Sequence, residues 1–377
     1  MTLYSELRVR PIINAATTWT VLGGSLMPPE VLDAMRDAAQ AFVDMHELQE
    51  SAGRELARLT NNDAAYVTGG AAAGIVLSVL GSRTRGDLAS IGRLLEGSGS
   101  DLPDEVIMHA AHRMPYDPAV RFAGARIHPI GNVLQTFDWE LEAAISPRTA
   151  AVLYVIGSFV APGALDLATV VQVAHAHNVP VIVDAAAQLP PVSNFWRFTR
   201  ELGADIALFS GGKELRGPQS SGLIVGRSQW IEAIRANGAP YQRLARAMKV
   251  GKEEIVGLVA AVRRFVEIDH EQAWAVLRER CNDLAEALSG LDGVKVTVED
   301  TNAAGARVPR VMVALDPRAT GRSANSVATA LREGEPRIAV RVGKGEYFHV
   351  QLDLLTPSEE LTVRRRLVEA LSALPLR

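Results

Sequence analysis

A lysine and an aspartate, each near the end of an apolar run, are the residues of this sequence best suited to chemistry. Lys213 ends the motif Ser210-Gly211-Gly212-Lys213, which follows the largely apolar run 204–209, and Asp184 ends the run 179–184. A lysine amine can form a Schiff base with an aldehyde. A carboxylate can keep a pyridine nitrogen protonated, so that the ring accepts electrons from a carbanion. Together the two residues predict pyridoxal 5'-phosphate (PLP) as the coenzyme.

Both residues also have ordinary structural interpretations. Most lysines are solvated on the surface, and an aspartate after a strand often caps the following helix. Two glycines before Lys213 and the polar loop Arg216-Gly217-Pro218-Gln219 after it favour a site over a surface lysine. Gln188, which follows Asp184 closely, is predicted to contact the phenolic oxygen of the coenzyme.

A glycine-rich turn supplies a candidate phosphate site. In Thr68-Gly69-Gly70-Ala71-Ala72-Ala73-Gly74, small residues follow a strand-like run and open a helical run. Small side chains let backbone N–H groups approach an anion, and a helix N-terminus adds partial positive charge. We therefore predict that Gly70, Ala71 and Ala72 bind the coenzyme phosphate. A tight turn packed against a sheet would have the same composition, so the motif is informative mainly beside Lys213 and Asp184.

A histidine follows another strand-like run, residues 106–108, in the motif His109-Ala110-Ala111-His112-Arg113. An imidazole stacked on the exposed face of the coenzyme would hold the ring and could exchange protons. His112 fits this role better than His109, which belongs to the end of the strand. The alternative is a histidine with a structural role.

Several further polar residues are candidates for binding anions. The Ser210 hydroxyl is predicted to bind the coenzyme phosphate, and Arg216 either neutralises that phosphate or contacts the substrate. Arg341, within apolar residues 338–342, is predicted to bind a substrate carboxylate, or else to pair with a nearby acid at a strand edge. A basic cluster either reaches the active site of a neighbouring subunit or is a solvated connection; it comprises Arg235, Arg243, Arg246, Lys249 and Lys252.

Composition narrows the class of protein. The chain has 377 residues, 48% of them hydrophobic and 22% charged, with a net charge of -4. This composition is typical of a globular chain, and the negative net charge does not favour binding to nucleic acid. No secretion signal, bilayer-spanning run or metal-ligand spacing is apparent, and the single cysteine, Cys281, fits a reducing compartment. We expect a cytoplasmic protein without a nucleic-acid or membrane partner.

Hydrophobic patterning predicts an α/β protein. Short β-rich runs alternate with helical patterns up to about residue 225, as in βαβ units of a mostly parallel sheet covered by helices. After residue 248 the pattern changes to long amphipathic helices and a few strands, which predicts a smaller C-terminal α/β domain. The expected boundaries are an N-terminal segment at 1–14, a large coenzyme domain at 15–248 and a small domain at 249–377.

These motifs carry a family resemblance. Together with Ile13-Asn14-Ala15-Ala16 near the start and residues 248–254, they resemble the fold-type I PLP enzymes related to bacterial selenocysteine synthase. The branch containing D-glucosaminate-6-phosphate ammonia-lyase is the most similar. The resemblance covers roughly residues 11–268 and is specific for coenzyme and fold. It implies the aspartate aminotransferase-like fold, in a homodimer or larger assembly with active sites at the subunit interface.

The resemblance also implies residue roles and a reaction. Lys213 would form the Schiff base, Asp184 would face the pyridine nitrogen and His112 would stack on the ring, while the cradle residues and Ser210 would bind phosphate. The expected activity is α,β-elimination of the ammonia-lyase or dehydratase type, on an amino acid or amino-sugar acid. Racemase or epimerase, aldolase and transferase reactions pass through related carbanions and remain alternatives. A PLP-binding pseudoenzyme or regulator is the non-enzyme alternative. Because this chain lacks an extra N-terminal region and is acidic, we do not expect a tRNA-bound substrate.

Overall fold

The computed structural model describes residues 3–372. Its strands, in chain order, are β1 (Ile12–Asn14), β2 (Ala64–Thr68), β3 (Glu105–His109), β4 (Arg126–Ile130), β5 (Thr149–Val155), β6 (Val181–Asp184), β7 (Ile206–Ser210), β8 (Gly222–Gly226), β9 (Val294–Glu299), β10 (Arg310–Leu315), β11 (Arg337–Ala339), β12 (Arg341–Val342) and β13 (Tyr347–Val350).

The α-helices are α1 (Leu3–Glu6), α2 (Pro29–Ala39), α3 (Met45–Leu59), α4 (Ala71–Thr84), α5 (Leu88–Leu95), α6 (Pro118–Phe122), α7 (Asp138–Ala144), α8 (Leu167–Ala176), α9 (Asn194–Trp196), α10 (Ser228–Asn237), α11 (Lys252–Glu267), α12 (His270–Leu288), α13 (Pro317–Thr320), α14 (Ala324–Glu333) and α15 (Pro357–Ser372). Shorter 3₁₀ turns lie at Thr20–Leu22, Ala110–His112 and Leu244–Met248, and a π-helical turn lies at Arg197–Glu201.

The chain forms two compact units. The large unit is Met27–Ile268, and the small unit joins the residues up to Leu26 with those from Asp269 onward. The large unit contains a seven-stranded sheet with the order β2-β8-β7-β6-β5-β3-β4. Strand β8 runs antiparallel to both of its neighbours, and the other pairs are parallel. The predicted α/β class with a mostly parallel central sheet is therefore confirmed.

The central strands are apolar because both faces of the sheet are covered. All residues of β6 and β3 are buried, as are most of those in β5 and β7. Alternate residues of these strands face opposite ways, so the large unit has a hydrophobic core on each side of the sheet. Parallel strands present their carboxyl ends at one edge. The residues that follow β3, β6 and β7 are therefore gathered at that edge.

The small unit is built on a four-stranded antiparallel sheet with the order β12-β13-β10-β9. A separate parallel pair joins β1 to β11, with Ile13 opposite Ile338. Helices α12, α14 and α15 contribute to its core through residues such as Leu284, Val327 and Leu367. The predicted smaller α/β domain is present.

The compact units divide the chain at different points from the predicted boundaries of 15–248 and 249–377. Helix α11 belongs to the large unit because its residues Ile255, Leu258 and Phe265 enter the large core. The segment before Leu26 belongs to the small unit, since β1 pairs with β11. The strand pairing and helix packing that decide this are not visible in the local sequence pattern.

None of the helices in residues 3–372 is long and apolar enough to cross a membrane. No group of three or more His, Cys, Asp or Glu side chains in the same residues could hold a metal ion.

Candidate active site

The glycine-rich turn lies where edge strand β2 meets helix α4. Gly70 caps α4 with a φ of 99°, a left-handed conformation that disfavours any residue with a side chain. A Cβ on Gly222 of the neighbouring strand β8 would lie 2.5 Å from the Gly70 carbonyl carbon and 2.8 Å from the Ala71 nitrogen. The first-turn N–H groups of a helix have no acceptor within the helix. The turn is thus a tight, glycine-dependent arrangement of backbone donors, as an anion site requires.

Two hydroxyl groups flank the same turn. Gly222 pairs with Thr68 of β2 on one side and with Ser210 of β7 on the other, so the three residues lie in one row across the sheet. The Thr68 hydroxyl is buried and has no hydrogen-bond partner among residues 3–372. A buried hydroxyl without a partner costs free energy, which a bound phosphate would recover. The structure thus brings Ser210 to the predicted cradle and adds Thr68, which sequence reasoning missed.

Asp184 is the last residue of β6 and lies at the carboxyl edge of the sheet. The side chain is buried, and its Oδ1 accepts a hydrogen bond of 3.0 Å from the Ala186 N–H. Burial raises the pKa of Asp184, while the Ala186 N–H and the positive charge of Lys213 act in the opposite direction. A buried carboxylate of this kind gains most from a cationic partner, such as a protonated pyridine nitrogen.

The lysine loop is folded back on itself directly after β7. The Gly211 N–H donates to Ser221 O at 2.9 Å, and the Gly217 N–H donates to Gly211 O at 2.8 Å. A Cβ on Gly212 would lie 2.5 Å from the Gln219 Cα, so this position needs glycine. Because the charge of Lys213 acts on Asp184, the fold brings together the two residues on which the coenzyme prediction depends.

Arg216 lies at the tip of this loop with a left-handed φ of 56°. Its N–H donates to Lys213 O at 2.8 Å, which closes a turn around the lysine. The backbone therefore ties Arg216 to Lys213. An arginine held there is suited to an anion bound beside the lysine.

His112 lies in the 3₁₀ turn after β3 and is 2% exposed. The Val155 N–H donates to its Nδ1 at 3.2 Å, so the proton of the neutral ring is on Nε2. The Tyr154 ring packs edge-on, with the centroids 4.5 Å apart, and His109 lies 5.0 Å away. Burial, with a smaller effect of His109, lowers the pKa of His112 to about 4. His112 is therefore an uncharged ring at neutral pH, as stacking on a cationic pyridinium requires.

Gln188 lies beside Asp184 and its amide is held by backbone. Its Nε2 donates to Ile156 O at 3.1 Å, and the Ile156 N–H donates to Asp184 O at 3.0 Å. The Asn194 side chain donates to Gln188 O at 2.6 Å, which fixes the turn. Gln188 thus lies next to the candidate site, and its hydrogen bond to Ile156 stabilises the end of β6.

The basic cluster lies around a cleft of about 780 Å³ in the large unit. Arg246, Lys249 and Lys252 line this cleft together with Gly69 and Ala73 of the phosphate turn. Lys252 Nζ is engaged by the Ala38 carbonyl at 2.6 Å and by a neighbouring glutamate. Arg246 and Lys249 also line the cleft beside the turn, and the Nε of Arg246 is buried. Two other members of the cluster, Arg235 and Arg243, do not line the cleft.

Arg341 lies in the small unit on β12. Its guanidinium carbon is 5.6 Å from the Trp19 ring centroid. Opposite Arg341 in the sheet is His349, and Arg310 on β10 donates to Glu299 at 2.7 Å. The predicted alternative, in which Arg341 pairs with a nearby acid, is not seen among residues 3–372, where the guanidinium of Arg341 instead lies over an aromatic ring.

Three comparisons place these features among known proteins. The family model for L-seryl-tRNA selenium transferase matches residues 12–354. The D-glucosaminate-6-phosphate ammonia lyase of Salmonella typhimurium (strain 14028s / SGSC 2262) is 36% identical over 344 residues, which are 90% of this chain and 89% of that protein. The 5'-C-glycyluridine monooxygenase-decarboxylase of a Streptomyces species is 35% identical in an alignment of 378 positions, which covers 98% of this chain and 92% of that protein.

A solved structure extends the likeness to the whole fold. The structure of a D-glucosaminate-6-phosphate ammonia-lyase superposes with a TM-score of 0.85 and 33% identity, over 98% of each chain. Fold and motifs therefore agree, and the resemblance inferred from the sequence is confirmed. The chain belongs to the L-seryl-tRNA selenium transferase family, with the fold of type I PLP enzymes.

Proposed function

We propose that this protein is a PLP-dependent lyase that catalyses α,β-elimination on a small amino acid or amino-sugar acid. The observation that carries the proposal is the grouping of Lys213 and the buried Asp184 in one fold with a glycine-dependent anion turn. The likeness to an ammonia lyase at 36% identity over most of both chains supports the elimination.

The residues present fit the coenzyme at each of its functional groups. The N–H groups of Gly70, Ala71 and Ala72 and the hydroxyls of Thr68 and Ser210 would hold the phosphate. Other residues would hold the ring: Asp184 would keep the pyridine nitrogen protonated, the neutral His112 would stack on the ring, and Gln188 would contact the phenolic oxygen. When bound, PLP supplies an electron sink conjugated to the substrate Cα.

The catalytic work of this chain then belongs to Lys213. Its Nζ is the base that takes the proton from the substrate Cα. The same amine can return a proton to the amino or hydroxyl group that departs from Cβ. Asp184 contributes by holding its negative charge at the pyridine nitrogen, which favours the development of charge on Cα.

Arginines would orient the substrate through its anionic groups. We assign Arg216, tied to Lys213 by the backbone, and Arg341 to this role because guanidinium pairs bidentately with a carboxylate. Arg246 and Lys249 are suited to a second anionic group, since both line the cleft next to Gly69. The relative that acts on D-glucosaminate 6-phosphate favours a substrate with such a group.

Decarboxylation is the second candidate reaction. The relative named as a 5'-C-glycyluridine monooxygenase-decarboxylase is 35% identical over 98% of this chain. Loss of carbon dioxide and removal of the α-proton leave charge on the same carbon, Cα, so the same electron sink and the same aspartate would serve either reaction. Oxygen uptake distinguishes them, because an elimination consumes none.

The proposal includes partners and location. Substrates are small molecules rather than tRNA, since a net charge of -4 does not favour a phosphate backbone. We further propose a cytoplasmic homodimer or higher homo-oligomer. Large exposed apolar side chains, including Phe42, Leu134 and Trp139, support association.

A substrate panel tests the function. Purified protein with added PLP is incubated with D- and L-hydroxy amino acids and with amino-sugar acids and their phosphates, while ammonia, keto acid and oxygen are measured. A lyase releases ammonia and keto acid in equal amounts without oxygen uptake. Inversion of configuration without ammonia would replace the proposal by racemisation, and oxygen-dependent release of carbon dioxide would replace it by the second candidate.

A further inference from the structure

One arginine of the small unit, Arg341, has no acidic partner among residues 3–372. Arg341 is half-buried, and none of the carboxylates in residues 3–372 lies within ion-pair distance of it. Burial and the nearby charge of Arg310 lower the pKa of Arg341. The acid of this region, Glu299, is engaged by Arg310 at 2.7 Å and lies 3.3 Å from His349 Nε2. A half-buried cation in this setting gains free energy from an external anion.

The guanidinium of Arg341 contacts an indole ring, that of Trp19, and not a carboxylate. The guanidinium carbon of Arg341 lies 5.6 Å from the centroid of Trp19, which is itself 42% exposed. An aromatic face attracts a guanidinium electrostatically. The contact is made to the indole ring and forms no hydrogen bond with the guanidinium N–H donors. The donors of Arg341 therefore remain available to a ligand.

The position of Trp19 is fixed by a side-chain-capped turn. Asn14 Oδ1 accepts from the Ala16 N–H at 3.1 Å and the Thr17 N–H at 3.3 Å, and Asn14 Nδ2 donates to Thr17 O at 2.8 Å. The Ala15 N–H donates to Ala339 O at 3.0 Å. The motif Ile13-Asn14-Ala15-Ala16 thus anchors the segment to the small unit and sets the direction in which the chain continues to Trp19.

We propose that Trp19 is a positioning residue that, held by the Asn14 turn, fixes the guanidinium of Arg341 as the receptor for a carboxylate group of the substrate. The inference rests on the proposed function, in which Arg341 binds a substrate anion. It adds the N-terminal segment to the determinants of substrate affinity. Trp19 acts through Arg341 and is not itself a catalytic residue.

Binding of malonate tests this inference. Malonate carries carboxylates but no amino group, so it cannot react with the coenzyme. Its dissociation constant is measured by calorimetry on the PLP-loaded full chain. We expect Trp19→Ala to weaken binding about fivefold, the size of one cation–π contact. Trp19→Phe, which retains an aromatic face, should restore most of the affinity, and Arg341→Gln should abolish binding.

Trp274→Ala is the matched control. Trp274 also lies under a guanidinium, that of Arg307 at 4.6 Å, but Arg307 is paired with Glu271. Malonate affinity should therefore be unchanged. With a turned-over substrate, Trp19→Ala should raise KM and leave kcat unaltered.

Three results would overturn the inference. These are wild-type affinity in Trp19→Ala, binding that survives Arg341→Gln, and failure of the wild-type protein to bind malonate. The absorption band of the bound coenzyme is recorded in the same samples. If the band is present, such a result removes only the role of Trp19 and Arg341, whereas a missing band removes the proposed function.

Discussion

At the residue scale, the chemistry rests on groups whose protonation is set by burial. Asp184 is a buried carboxylate near the positive charge of Lys213, and His112 is a buried neutral ring with a fixed tautomer. Burying either group costs free energy in the protein alone. A cationic aromatic ring bound beside Asp184 would offset the cost of its buried charge, so we propose that this environment serves ligand binding more than stability.

The first prediction concerns Asp184→Asn. Because burial raises the pKa of Asp184, the folded apoprotein binds this proton more tightly than the unfolded chain does. The stability contributed by the protonated form is thus lost as pH rises through the folded pKa. The variant should be more stable than wild-type apoprotein at pH 7 by thermal melting. Its kcat should fall at least about 100-fold, since a charge acting on the transition state is lost.

Equal activity in Asp184→Asn would contradict the role of the carboxylate. A lower melting temperature of the Asp184→Asn apoprotein would instead contradict the claim that burial destabilises the charged form of Asp184. Asp166→Ala is a control, because Asp166 caps helix α8 through the Thr169 N–H, where loss of the cap should destabilise the protein.

The second prediction concerns His112→Phe and acid stability. The pKa of His112 is lowered to about 4, below its ordinary value of 6.5. Between these values the unfolded chain binds a proton that the folded protein does not, so stability falls as pH decreases from 6.5 through about 4. The variant should lose less melting temperature between pH 7 and pH 5 than the wild type does. An unchanged difference would show that His112 does not titrate as its burial indicates.

At the element scale, the active site depends on loops closed by glycines between adjacent strands. Thr68, Gly222 and Ser210 lie side by side although they are far apart in sequence. Lys213 and Asp184 could be predicted because each lies beside an apolar run, and Gly70 because its turn is rich in glycine. Thr68 could not, since its role depends on the register of β2 against β8, which local sequence does not contain.

The third prediction tests the cradle by Gly222→Ala. The new Cβ would lie 2.5 Å from backbone of Gly70, so the turn must shift. We expect PLP affinity, measured by absorption titration of the apoprotein, to fall at least about tenfold, the loss of one phosphate hydrogen bond. Gly92→Ala on helix α5 is the control, because nothing lies within 4 Å of its Cβ. Wild-type affinity in Gly222→Ala would exclude this turn as the phosphate site.

At the scale of the whole molecule, the sequence predicted the fold class but not the residues at which the chain divides into its two compact units. Alternating strands and helices indicate a parallel sheet, and the small α/β unit was also expected. The assignment of α11 to the large unit depends on which core receives Ile255 and Phe265. The place of the first residues depends on β1 pairing with β11, a contact across most of the chain. Neither follows from periodicity.

The fourth prediction concerns assembly. Large apolar side chains, among them Phe42 and Leu134, are exposed on the single chain, and homodimer interfaces are more apolar than the rest of a protein surface. Light scattering on the purified protein should give at least twice the monomer mass at micromolar concentration. A monomer that retains full activity would contradict a site completed at a subunit interface.

The most direct test of the central claim is the absorption spectrum of the protein with PLP, compared between the wild type and Lys213→Ala. Only a lysine amine in the site can form the Schiff base. The account predicts a yellow band above the near-ultraviolet for the wild type, and its loss in Lys213→Ala while far-ultraviolet circular dichroism stays the same. A band that persists in the variant, or that never forms in the wild type, would contradict the assignment of Lys213 and of the coenzyme.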